Sequence, residues 1–91
     1  MRLLALAGLL LAAPALAAEL PADVAAFAAR RDRCDQLRGE EPTDPARARN
    51  LARMLDANCR GTDAELARLK RRHAREPAAM EKLGEYDPAV E

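Results

Sequence analysis

Pro21-Ala22-Asp23-Val24-Ala25-Ala26-Phe27-Ala28-Ala29-Arg30-Arg31-Asp32-Arg33-Cys34-Asp35-Gln36-Leu37-Arg38-Gly39 is the stretch that decides the fold. Val24, Phe27, Ala28, Arg31, Cys34 and Leu37 recur every three or four residues, which places them on one face of a helix. Pro21 suits the first helical position, where its missing N–H would be unpaired anyway. Asp23 then sits favourably beside the positive end of the helix dipole. Gly39 is expected to end the helix by taking a left-handed conformation after the last turn.

Three more helices follow from the same kind of punctuation. After Glu40–Asp44, Thr43 or Asp44 serves as N-cap and Pro45 occupies N1. Ala48, Leu51, Ala52, Leu55 and Cys59 then share a face, and Gly61 closes that helix. Thr62-Asp63-Ala64-Glu65 has the form of a capping box, starting a third helix that runs to about Ala74. Pro77 opens a short fourth helix carrying Met80, Leu83 and Tyr86. No stretch alternates as a strand does, and Val24, Thr43, Thr62 and Val90 are the only β-branched residues. The fold class is all-α, with three to four short helices.

The first 17 residues have a different character. Met1-Arg2 is a short positive start, Leu3–Ala13 an apolar run, and Ala15-Leu16-Ala17 a small-x-small cleavage site. A signal peptide over 1–17 is expected, with residues 18–91 forming a single small helical domain. A membrane anchor fits less well, because Pro14 interrupts the run and Glu19 and Asp23 follow too soon. The expected location is the periplasm or beyond, with no transmembrane anchor after cleavage.

From Leu20 onward only 13 large apolar side chains remain, enough for one small core. That excludes a two-domain enzyme and a large ligand cavity. There is no serine to act as a nucleophile, and one histidine cannot build a multi-histidine metal centre. Removing Arg2 with the leader leaves 14 basic against 15 acidic residues, so the whole chain has no charge preference for a partner. Nucleic acid is not expected in an exported chain without aromatics on which bases could stack.

Two cysteines in an exported chain read as one disulfide, Cys34–Cys59. Closing that loop contributes about 3 kcal/mol by the chain-entropy argument, a large share for so small a core. A redox-active pair would instead sit close together at a helix start, where the dipole favours the thiolate. The staple also constrains topology. Cys59 lies one long helix beyond Pro45, roughly 21 Å of rise, so it meets Cys34 only if the connection doubles back or the helices cross steeply. A small crossed-helix array stapled by the disulfide is expected, rather than an up-down bundle.

Arg68, Lys70, Arg71, Arg72 and Arg75 form the best candidate for binding. On a helix, Arg68, Arg71, Arg72 and Arg75 lie at i, i+3, i+4 and i+7, away from Leu66 and Leu69. Such a stripe could meet an envelope protein or an anionic envelope component. The competing view is a solvated face whose cations suit the helix C-terminus. Arg38 and Glu40, beside Gly39, are secondary contact candidates; alternatively they pair with each other or cap a neighbouring helix. His73, in register with Leu66 and Leu69, is read as a half-buried packing residue. The rival function is a small periplasmic metal-binding protein or enzyme using His73 with nearby carboxylates. No catalytic residue, cofactor or metal ligand is otherwise assigned.

Arg31-Asp32-Arg33-Cys34-Asp35-Gln36-Leu37-Arg38-Gly39-Glu40, with Cys59-Arg60-Gly61-Thr62-Asp63 and Leu66-Ala67-Arg68-Leu69-Lys70, resembles a group of small exported proteobacterial proteins of unknown function. The shared pattern is R-x-x-C-D-x-x-R-G-E followed by C-x-G-T-D, and it covers most of the mature chain. Chains of that group tend to carry His-Phe where Gln36-Leu37 stand here, and Tyr at the place of His73. A metal role for a histidine at position 36 is therefore absent, and the resemblance implies no activity. The expected function is a non-enzymatic, exported helical module that binds a protein or an envelope component.

Overall fold

A computed structural model describes residues 19–91, so the expected leader over 1–17 lies outside the described residues. Four helices follow one another: α1 (Ala22–Arg38), α2 (Pro45–Cys59), α3 (Thr62–Arg72) and α4 (Pro77–Leu83). There is no strand among the described residues. The all-α array with its single staple is as the sequence predicts.

The face read from α1 is the one that is buried: Val24, Phe27, Ala28, Arg31, Cys34 and Leu37. Val24, Phe27 and Ala28 join Leu66 and Leu69 of α3, Ala79 and Leu83 of α4, and Tyr86 in one core, with Leu20 and Met80 against its edge. Phe27 meets Tyr86 edge-on at a ring-centroid distance of 5.4 Å, the favoured geometry for two aromatic quadrupoles. Burying each large side chain contributes about 1.5–3 kcal/mol, so this cluster supplies most of the driving force.

α1 is the axis of the array. It packs against α2, α3 and α4, whereas α2 packs mainly on α1 alone. In an up-down bundle consecutive helices would all be neighbours. Two attachments lay α2 back over the C-terminal half of α1. Glu40 grips Arg47 in the first turn of α2, through both carboxylate oxygens at 2.6 Å. At the other end Cys34 and Cys59 are joined, with Cα atoms 5.0 Å apart. Arg30 adds hydrogen bonds to the carbonyls of Ala57 and Arg60. On α2 only Leu51 is fully buried, while Ala48 and Ala52 of the predicted apolar face are exposed.

One turn assignment is settled between two alternatives, and two differ from expectation. Asp44 is the α2 N-cap, accepting from Arg47 N–H at 2.8 Å, so the choice between Thr43 and Asp44 is resolved. Gly39 is not left-handed; its φ is −84° and α1 ends by ordinary right-handed closure. Gly61, alone among the described glycines, has positive φ, 80°, and turns the chain between α2 and α3. Thr62 does not cap α3. It is buried and donates to the Cys59 carbonyl at 2.7 Å, closing α2 instead.

Candidate functional site

Leu66 and Leu69 are each 1 % exposed and fix which way α3 faces. Residues on the opposite side, Ala64, Ala67, Arg68 and Arg71, are therefore exposed. Arg68, Arg71 and Arg75 enter no ion pair among the described residues. α3 ends at Arg72, earlier than the sequence suggested, so Arg75 belongs to the turn beyond it and not to a continuous helical stripe. Arg72 lies on the flank and reaches Asp23 of α1 at 3.4 Å. Lys70 is half-buried. The outward cationic face therefore centres on Arg68 and Arg71, preceded on the same side by Ala64 and Ala67.

Arg38 and Glu40 do not pair with each other. Arg38 binds Asp35 at 3.0 Å, and Glu40 is committed to Arg47. The paired guanidinium holds the Glu40 carboxyl below its ordinary range. Arg38 pairs within α1 and Glu40 ties the connection to α2, and neither lies on the α3 face.

His73 is buried and bridges three parts of the fold. Its Nδ1 lies 2.8 Å from Glu76 Oε2, and its Nε2 lies 3.0 Å from Asp23 Oδ1. An imidazole facing a carboxylate at each nitrogen donates twice, which requires the charged form. Accordingly the pKa of His73 is raised, chiefly by Glu76 and then by Asp23. That of Asp23 is lowered, first by the His73 hydrogen bond. The two carboxylates sit at opposite ring nitrogens, so they do not converge with the imidazole on one point. No cluster of three or more potential metal-binding side chains occurs among the described residues. The arrangement is built to hold a proton.

Two further charged features lie away from α3's outer face. Arg31 is 0 % exposed, on the face where its spacing placed it. It donates to Asp35 at 3.2 Å and to the Asp87 carbonyl, and lies over the Tyr86 ring. Its Nη1 has no hydrogen-bond partner but is 3.6 Å from Asp63 Oδ1. Tyr86 donates to Asp32 at 2.8 Å, and burial pushes its pKa up to about 12. Beside this knot Asp63 and Glu91 exchange hydrogen bonds, which the local spacing of neither residue announces.

No protein-family model matches the chain, and no curated protein or solved structure does so either.

Proposed function

We propose that the protein is a non-catalytic, exported helical module that holds to an anionic envelope component through the outer face of α3. The observation that carries this reading is the pair Arg68 and Arg71, exposed and unpaired among the described residues, in a chain whose total charge is balanced. Several other guanidinium groups are used internally, Arg31 in the buried knot, Arg47 on Glu40 and Arg60 on Asp56, whereas Arg33, Arg49 and Arg53 are exposed singly on α1 and α2. On α3, Arg68 and Arg71 are left to solvent one turn apart, while Arg72 pairs with Asp23.

The chemistry of the face favours a polyanionic surface over a protein partner. Tight protein contacts are usually anchored by aromatic side chains in their centre. This chain has two aromatics, Phe27 and Tyr86, and both are buried. Ala64 and Ala67, exposed on the same side just before the arginines, keep the neighbouring surface low, so extended acidic groups can approach Arg68 and Arg71. Export places the module where such groups are found, and the resemblance to small exported proteobacterial proteins agrees with that location.

Co-sedimentation with phosphatidylglycerol-containing vesicles tests the reading. Binding should exceed that to phosphatidylcholine vesicles. It should fall steeply as salt passes 0.15 M, where charges are screened over about 8 Å. Equal binding to both vesicle types would refute an electrostatic face.

A further inference from the structure

His73 lies one residue beyond Arg72, and the two share one carboxylate. Asp23 accepts from His73 Nε2 at 3.0 Å and pairs with Arg72 at 3.4 Å. The charged groups facing the imidazole are Asp23 from α1, Glu76 from the N-cap of α4, and Arg72 across Asp23 from α3. Protonated His73 therefore satisfies two anions from two different elements, binding the first turn of α1 to the α3–α4 junction. Neutral imidazole has one N–H and one lone pair. It can keep one carboxylate as an acceptor, but the other would face the lone pair.

We propose that His73 is a pH-operated latch that sets the strength of the α3 cationic face. Protonated, it holds Asp23 and leaves Arg72 incompletely neutralised at the edge of that face. On losing its proton it cannot retain both carboxylates, and Asp23 is left to Arg72. The local charge falls by one at the end of α3 where Arg71, Arg72 and Arg75 gather. The raised pKa of His73 sets the direction: the latch is closed in acid and opens as pH rises through a midpoint above that of an ordinary imidazole. This regulation rests on the anionic-surface reading above, but the latch has a readout of its own.

Two measurements separate the latch from the face. First, histidine side-chain and backbone amide NMR of the full chain is followed from pH 5 to pH 10. The Asp23, Arg72 and Glu76 amides should shift with the same midpoint as the His73 ring, and Glu76→Gln should move that midpoint to lower pH. A ring that titrates without those amides moving, or a midpoint untouched by Glu76→Gln, would overturn the latch whatever the vesicles show. Second, binding to phosphatidylglycerol vesicles is measured over the same range. Loss of one charge near the face should weaken wild-type binding by about two- to fivefold across the His73 transition. Circular dichroism is used to confirm that His73→Gln folds; that variant should show no such step. A wild-type curve that is flat through the His73 transition would contradict control of the face. Absence of vesicle binding at every pH would instead refute the face, with the NMR titration still deciding the latch.

Discussion

Asp63 and Glu91 cap one another across the start of α3. The Glu91 carboxylate accepts from the Gly61 and Asp63 N–H groups, each at 3.0 Å. In return the Asp63 carboxylate accepts from the Val90 and Glu91 N–H groups, at 3.0 and 2.9 Å. Two helix-terminal donors and two tail donors are thereby satisfied by residues 28 positions apart. The backbone donors hold both carboxyls below their ordinary range.

Removing one half of this clasp should loosen the other. Asp63→Ala is expected to destabilise the protein by about 1–2 kcal/mol, the range seen for lost helix caps. Glu91→Gln should have a smaller effect in the same direction. Because both folded-state pKa values are depressed, the contribution is present above the ordinary carboxylate range and is lost as pH falls through the depressed values. Urea denaturation at neutral pH and at acid pH checks this. The destabilisation by Asp63→Ala should be clear at neutral pH and shrink in acid.

Arg31 illustrates a different kind of dependence. Its guanidinium is wholly buried among Asp35, Asp63, the Asp87 carbonyl and Tyr86. Arg31→Ala removes the cation and leaves a cavity, and breaking such buried pairs costs about 3–5 kcal/mol. Arg31→Lys should rescue little, since one ammonium cannot reproduce the planar fork. A denaturation midpoint for Arg31→Ala within error of wild type would contradict this assignment.

The staple closes a sequence separation of 25 residues and fastens a helix with a single fully buried side chain. Reduction, or the double change Cys34→Ala with Cys59→Ala, should lower the melting temperature by about ten degrees or more. α2 should lose amide protection before α1 and α3 do. Hydrogen exchange under reducing conditions provides the check; uniform loss across all four helices would count against a peripheral α2.

The two interhelical glycines should respond oppositely to alanine. At Gly61 a Cβ meets nothing within 4 Å, but φ is 80°, so Gly61→Ala should cost about 1–2 kcal/mol through backbone strain. At Gly39 the backbone is right-handed and the nearest atom to a new Cβ is 3.6 Å away. Gly39→Ala should be neutral or slightly stabilising. Thermal melts of the two variants decide the matter.

These contrasts also show what was legible in the chain. The buried face of α1 was readable in full, Arg31 included, because spacing alone determines which side of a helix a residue occupies. The disulfide was readable because only two cysteines are present. Gly39 and Gly61 looked alike, since the same residue ends a helix with either hand of φ. The Thr62 capping box does not form because the helix starts one residue earlier, with Gly61 as N-cap and the Thr62 hydroxyl on the Cys59 carbonyl. Glu91, far along the chain, takes the Gly61 and Asp63 N–H groups. Glu65 instead lies 3.5 Å from Arg30. The same limit hid the His73 site: Glu76 is a near neighbour, but Asp23 is 50 residues away. Arg75 falls off the stripe because α3 ends at Arg72.

The most direct test of the anionic-surface account is charge reversal at Arg68, Arg71 and Arg75 together, read by binding to phosphatidylglycerol vesicles. All three are exposed and unpaired among the described residues, so helicity by circular dichroism should be nearly unchanged. Surface substitutions of this kind usually alter stability by only about 0.5 kcal/mol each. The account predicts that the folded triple variant loses vesicle binding. A folded triple variant that binds as well as wild type would contradict it and leave the α3 arginines as a solvated surface.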